Sequence, residues 1–299
     1  MVSVVICSYN REKFLPRALN SLINQTVDKD KYEVIIVNNN STDSTEKICK
    51  QFISENKELN VSYFVEKNQG LSFARNRGIK EAKGEIISFI DDDAIAREDY
   101  VENLIKTFKQ YPEYGAIGGK VIPIFPDNKE PVWMSKYIQG VVSKVDYGNK
   151  IKDFSKKYPT GCNMAFRREL FEKFGGFNTD LVYRGDDKYV FYKLKKNKVK
   201  ILYAPNVYVN HNIDAYRIEP KFIDKISKST GASEKLRLQT EPGYKSVYKL
   251  LEYFYKLSGA VVLYFMFLIK GQPQKGKYCV KVMYHTILGF FKEKKFAQL

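Results

Sequence analysis

Three consecutive carboxylates, Asp91, Asp92 and Asp93, follow the apolar run Ile86-Ile87-Ser88-Phe89-Ile90. That run reads as a buried strand. Adjacent negative charges repel one another, and packing gives no reason to set them side by side. At the C-terminal edge of a strand in an α/β sheet they stand where ligands bind. Hard oxygen donors of this kind suit Mg2+ or Mn2+, usually shared with a substrate's phosphates. A solvated acidic turn accounts for the same three residues, since Asp is common in turns. A second acidic pair, Asp186-Asp187, opens a predicted helix after Gly185. The helix dipole stabilises a carboxylate there and lowers its pKa, while the neighbouring carboxylate pushes the other way. Acids at a helix start are also ordinary N-terminal residues. His211, one of only two histidines, directly follows a predicted strand.

The elements that must position these groups alternate. Val2 to Ile6, Glu33 to Val37, Val61 to Val65 and Ile86 to Ile90 read as strands. Between and after them, helices are predicted from about Glu12 to Asn24, Ser44 to Ser54, Leu71 to Ala82 and Glu98 to Gln110, with Ser44 or Asp43 as the cap of the second. Strand and helix alternating at this spacing mean βαβ units and a mostly parallel, Rossmann-like sheet flanked by helices. Three of the four strand ends carry polar loops: Ser8-Tyr9-Asn10 with Arg11 after it, Asn38-Asn39-Asn40, and the acidic triplet. They line one crevice, the expected nucleotide site. No Walker loop and no G-x-G-x-x-G is present, so a metal is the expected diphosphate clamp. From Tyr114 the texture changes. Gly115 to Ile124 reads as strands broken by prolines, and Asp127 to Asp153, with the sole tryptophan Trp133, has no assignable pattern. That segment is either the wall of an acceptor site or a covering loop. A small-residue turn, Thr160-Gly161-Cys162-Asn163, then leads into a strand, and Arg167 to Phe174 into a short helix. A helix from Asp186 to about Asn197 and strands at Lys200–Tyr203 and Val207–Val209 complete this part.

The chain of 299 residues is 44% hydrophobic, enough for one large domain with an appendage. Four cysteines without metal-ligand spacing fit a reducing compartment. Met1 leads directly into the first strand, so no signal peptide is expected. The formal charge is +16, and Arg217 to Leu299 holds 16 Lys/Arg against six Asp/Glu. A basic, aromatic-rich tail faces nucleic acid or an anionic membrane. Nucleic acid is not the expected partner, because no helix-turn-helix, zinc-finger or RNA-binding signature occurs.

Taken in order, Val4-Val5-Ile6-Cys7-Ser8-Tyr9-Asn10-Arg11, Val37-Asn38-Asn39-Asn40-Ser41-Thr42-Asp43, Asn68-Gln69-Gly70 with Ala74-Arg75-Asn76, the acidic triplet, Gly161-Cys162-Asn163-Met164-Ala165-Phe166, Gly176-Phe177, Gly185-Asp186-Asp187 and His211 resemble a family 2 glycosyltransferase with the GT-A fold. The resemblance covers residues 1 to about 212. It implies a catalytic domain over 1–216, with a nucleotide-sugar half to about 115 and an acceptor half from about 116. It implies inverting transfer of a single sugar from a nucleotide-diphosphate donor, a UDP-sugar, to a glycan or lipid-linked acceptor. Asp93 matches the metal carboxylate of the D-x-D motif, Asp91 its first acid, and Asp92 reaches toward the ribose. His211 completes the metal shell, with Mn2+ or Mg2+ as the ion. Asp187 matches the general base. Ser8, Tyr9, Asn10, Arg11, Asn39, Gly70 and Arg75 fall to the nucleotide-sugar side, with Tyr9 stacking on the base and Arg75 meeting a phosphate or bracing the acidic loop. Gly161, Cys162, Asn163 and Asp186 fall to the sugar pocket. One departure is the asparagine run where the family often has Asp; the Asn39 amide oxygen is the expected acceptor for a uracil N3–H.

The last part, 217–299, is expected to be a basic helical extension. Lys245 to Lys256 is amphipathic and Leu257 to Ile269 apolar all round. That apolar run is about 20 Å long, short of a bilayer core of about 30 Å. A segment lying on the inner face of the cell membrane, a helical pair on the catalytic domain, or a homo-oligomer contact would each use it. The Q-x-x-R-W motif of processive synthases is absent. The rival readings are a sugar nucleotidyltransferase, which would need a Gly-rich basic loop where Cys7-Ser8-Tyr9-Asn10 stands, and a noncatalytic sugar- or lipid-binding module with a degenerate site.

Overall fold

The structure, a computed structural model, describes residues 1–155, 157–181, 185–239 and 241–291. The last residues of the basic extension, 292–299, lie outside the described residues. In chain order the elements are β1 (Val2–Ser8), α1 (Leu15–Asn20), β2 (Tyr32–Asn38), α2 (Thr45–Glu55), β3 (Val61–Val65), α3 (Leu71–Glu81), β4 (Ile86–Asp91), β5 (Ala94–Ala96), α4 (Tyr100–Gln110), β6 (Tyr114–Ile124), β7 (Lys152–Asp153), β8 (Asn163–Arg167), α5 (Glu169–Phe174), α6 (Asp186–Lys196), β9 (Lys200–Asn212), α7 (Pro220–Leu238), α8 (Tyr244–Ile269) and α9 (Pro273–Phe291).

The β-branched runs bury on both faces and pair in parallel, as near-continuous apolar strands do under covering helices. β1 lies between β2 and β4, and β3 adds outside β2, all parallel. The register sets Cys7 opposite both Val37 and Asp91, and Ser8 opposite Asn38, so three loops leave the sheet side by side. Past β4 the neighbours run antiparallel: β8 on β4, β6 on β8, and β5 and β7 on β9. Among the described residues the order is β3-β2-β1-β4-β8-β6-β9-β5, with β7 on β9. Phe89 of β4 meets Phe166 of β8, Phe171 of α5 and Phe177 edge-on, at centroid separations of 5.3–6.3 Å. This aromatic knot ties the parallel half of the sheet to the antiparallel half.

Several boundaries differ from those expected. The helix predicted over 12–24 is confined to Leu15–Asn20. The Ser21 hydroxyl bonds back to the Ala18 carbonyl at 2.6 Å, and the Gln25 amide takes the Ser21 carbonyl, so local side chains replace further helical turns. At α2 it is Asp43, not Ser44, that caps, with Oδ1 accepting the Thr45 N–H at 3.0 Å. The prolines do not break β6, a single strand that includes Pro123. The two strands expected at 200–203 and 207–209 are one 13-residue strand that runs through Pro205 to Asn212. His211 is therefore inside a strand, opposite Ala94, rather than in the loop after one. β5 is too short to show a pattern of its own and exists because β9 offers it an edge.

The chain divides into two compact units, one of 1–123, 145–181 and 186–212, the other built around 124–144 and 213–291. The first contains the sheet. In the second, Trp133 from the patternless segment stacks on Tyr278 of α9 at 5.0 Å. α8 is one continuous helix of 26 residues, long and apolar enough by length and composition to cross a membrane.

Candidate active site

The acidic triplet spans the end of β4 and the turn into β5, and its three members face different surroundings. The Asp91 side chain keeps about a third of its surface exposed, whereas Asp93 is almost fully buried. The Arg11 guanidinium reaches across from the loop after β1. It donates to Asp93 Oδ2 at 2.5 Å and to Asp92 Oδ1 at 3.4 Å. On its other oxygen Asp93 faces His211 Nε2 at 3.0 Å, and the His211 ring is fully buried. Asn212 holds the turn from below, its backbone N–H and its amide both donating to the Asp93 carbonyl, at 2.8 and 3.0 Å. The sequence reading missed Asn212; its position beside His211 was the available signal. Burial pushes the Asp92 carboxyl up, Asp93 adds to the rise, and Arg11 opposes it. Asp92 is thus turned inward under Arg11 and beside Ser8, and Asp91 is the member of the triplet that opens outward. Arg11, expected on the nucleotide-sugar side, here pairs with Asp92 and Asp93 of the triplet.

Arg75 of α3 is buried between two of the acids. It donates to Asp186 Oδ2 at 2.6 Å and to Asp91 Oδ1 at 3.2 Å. Burial works against its charge, but Asp186 and Asp91 outweigh burial and raise its pKa. Burial likewise drives Asp186 up while Arg75 pulls it back. Arg75 thereby ties Asp91 of the acidic loop to Asp186. Asp187, the next residue, is only half-buried. Its Oδ2 accepts the Gly161 N–H at 2.8 Å and its Oδ1 the Lys188 N–H at 2.6 Å. Each carboxylate oxygen has a second lone pair, so Asp187 retains acceptor capacity. Position 161 must be glycine for this approach: a Cβ there would lie 2.5 Å from Arg75 Nη2.

The neighbouring Cys162 was expected in a sugar pocket. Its thiol, the Asp91 carboxylate and the His211 imidazole lie within 4.8 Å of one another. Carboxylate and imidazole converging in this way, with Asp93 against the same ring, form a donor set that fits a divalent ion such as Mn2+, while the thiol suits softer ions.

Four further candidates, Asn39, Gly70, Asn163 and Asn10, are built into the loops and the sheet. The Asn39 side chain is buried and fully used: its amide N–H groups donate to the Glu66 and Asn68 carbonyls at 3.0 and 2.7 Å, and its oxygen accepts the Gly70 N–H at 2.8 Å. It braces the loop that opens α3. Gly70, at φ +141, is the other half of that joint, in a backbone conformation L side chains rarely adopt. Asn163 is buried and ties the sheet, donating to the carbonyls of Lys120 and Val207 at 3.0 Å each and accepting the Tyr100 hydroxyl. Asn163→Ala is expected to destabilise the protein by about 2–4 kcal/mol, since it leaves buried backbone carbonyls unsatisfied. Chemical denaturation checks this, and an Asn163→Ala protein of unchanged stability would show that these bonds do not stabilise the sheet. Asn10, at φ +52, takes the Thr42 N–H at 2.8 Å and gives its own N–H to Ser41, stitching two loops together. Tyr9 remains about half exposed at the mouth of these loops.

A family model described as glycosyl transferase family 2 matches residues 3–175. Over 228 residues the chain is 25% identical to the glucosyl-dolichyl phosphate glucuronosyltransferase of Haloferax volcanii, covering 73% of this chain and 71% of that protein. In three dimensions it resembles the mannosyltransferase PcManGT of Pyrobaculum calidifontis, solved in complex with GDP-Man and Mn2+, at TM-score 0.62 and 17% identity, over 96% of this chain and 86% of that one. It also resembles residues 1–349 of S. aureus TarS in complex with UDP, at TM-score 0.54 and 20% identity, over 77% of this chain. The chain spans 65% of that TarS chain and 39% of the longer one. At these identities the structural likenesses establish the fold.

Proposed function

The chain belongs to glycosyltransferase family 2, and from that premise we propose that it transfers a single sugar, with inversion, from a UDP-sugar to a hydroxyl of a lipid-linked glycan in cell-envelope assembly. The observation that carries this reading is the turn at Gly161-Cys162. Gly161 gives its N–H to Asp187, and the next residue sets its thiol beside Asp91 and His211. The base candidate and the acidic cluster therefore adjoin through two consecutive residues, as an inverting displacement requires of the groups serving the incoming alcohol and the departing diphosphate. The lipid-linked acceptor draws support from the Haloferax relative, whose name specifies a dolichyl phosphate substrate. A cytoplasmic site of action draws support from the four cysteines, all free.

In this mechanism Asp93, Asp91 and His211 would hold the divalent ion. The chemistry a bound ion supplies is neutralisation of the charge that gathers on the leaving diphosphate. Asp187 receives the proton of the attacking hydroxyl on an oxygen already oriented by a backbone N–H. Arg75 locks Asp186 and with it the first turn of α6, fixing where Asp187 points. Tyr9 offers its exposed ring for the nucleobase.

EDTA is expected to abolish transfer and Mn2+ to restore it. Asp93→Ala should lower the rate by at least about 100-fold, on the order of 3 kcal/mol of charge stabilisation. Nucleotide release from a panel of nucleotide sugars, with and without acceptor, measures both. An Asp93→Ala enzyme with unaltered rate and unaltered Mn2+ dependence would remove the assigned role, and donor binding without turnover in the unmutated protein would favour a noncatalytic module.

A further inference from the structure

We propose that α8 lies along an anionic phospholipid surface, its exposed apolar stripe in the interface and a lysine-lined cavity at its C-terminal end taking lipid phosphates. The stripe recurs along the helix and is interrupted at Ser258 and Gly259. Tyr248, Leu251, Tyr255, Val262, Phe265 and Ile269 recur at helical spacing, and each is between 57% and 87% exposed. The opposite face packs on α9 and buries Tyr253 and Ala260. From Tyr248 to Ile269 the stripe is about 32 Å long at the rise of an α-helix. Apolar surface of this extent is unusual on a soluble monomer and marks an interaction site.

Charge selects the occupant. Along the first half of α8 the lysines are neutralised within the protein: Lys245 by Glu241, Lys249 by Glu252 and Glu234, Lys256 by Glu252. At the other end, Lys270 and Lys275 meet Lys136 and Lys144 around a cavity of about 520 Å³. Among the described residues none of these four is paired with a carboxylate, and the cavity contains a single acid, Glu130. Its walls include Met266 and Phe267, and Tyr137, half exposed, and Val132, 77% exposed, extend the apolar surface onto the neighbouring segment. Four cations over apolar walls complement phosphates whose acyl chains run alongside. A second copy of the chain would bring the same lysines against themselves.

The helix lies on the surface rather than crossing it. Its uncharged part, Leu257 to Ile269, is about 20 Å long against a hydrocarbon core of about 30 Å. The first half carries Lys249, which is tied to Glu234 of α7, and that ionic contact is not compatible with the bilayer core. A helix with a long apolar face and basic flanks is the interfacial kind.

Sedimentation with vesicles tests the proposal. The full chain should bind vesicles containing phosphatidylglycerol and bind phosphatidylcholine vesicles far more weakly. Removing the four cavity charges with Lys136→Gln, Lys144→Gln, Lys270→Gln and Lys275→Gln should lower binding to the anionic vesicles by at least about 100-fold. Val262→Glu with Phe265→Glu should abolish it. The comparison protein loses the same charge elsewhere, through Lys67→Gln, Lys80→Gln, Lys83→Gln and Lys109→Gln, and should lose far less. Melting temperatures confirm that each variant is folded. Equal binding to both vesicle types, equal losses in the two lysine sets, or a dimer in light scattering that the two glutamates dissolve would each overturn the proposal.

Discussion

Asp187→Asn is expected to reduce the transfer rate by about 10²–10⁴-fold, the range contributed by a positioned general base, while leaving the donor's affinity within a few-fold. The split follows from where Asp187 stands. It is half-buried at the start of α6, with one oxygen on the Gly161 N–H and the other on the Lys188 N–H. Neither bond depends on a nucleotide, so donor affinity should survive. The amide cannot accept a proton at neutral pH, and its NH2 must face one of those two N–H donors, which adds a modest loss of stability. Steady-state kinetics with varied donor and acceptor, beside donor titration monitored by melting temperature, separates these effects. A kcat within threefold of the parent would place the base elsewhere.

Arg75→Met is expected to cost about 3–5 kcal/mol of folding stability, because it leaves a carboxylate buried without its counter-charge. Arg75 and Asp186 keep only 4% and 6% of their side-chain surface exposed. For a chain of this size the fall in Tm should be on the order of 10 °C. Arg75→Lys should be intermediate, since one ammonium cannot serve both Asp186 and Asp91 with the geometry of a planar fork. Adding Asp186→Asn to Arg75→Met should recover part of the loss, because the amide has no charge to bury. Urea unfolding of the single and double variants measures the coupling, and a loss below 1 kcal/mol with no recovery in the double variant would show that the pair is not stabilising.

The legible part of this protein was its parallel half. Val2 to Ile6, Glu33 to Val37 and Ile86 to Ile90 are mostly apolar runs, each with a single polar residue, and only a sheet covered on both faces buries them, so the βαβ order and the crevice at the strand ends follow from local pattern. The acidic triplet was legible for the same reason, since three adjacent charges have no packing purpose. What local pattern does not contain is the partner of each polar group. Asn39 and Asp187 are both short polar side chains near strand or helix ends, yet the first spends its whole hydrogen-bonding capacity on the Glu66–Gly70 loop and the second keeps lone pairs to spare. Arg11 and Arg75 are alike in charge, and only the chain's return 82 and 111 residues further on sets one against Asp93 and the other against Asp186. The same holds for His211, whose place inside a strand depends on β5, three residues with no pattern until β9 lies beside them. Composition and periodicity determine which segments must be buried, because the hydrophobic effect is local in sequence and additive. Which carboxylate is locked and which remains reactive is decided by tertiary contacts, because a hydrogen bond or ion pair exists only between two particular groups.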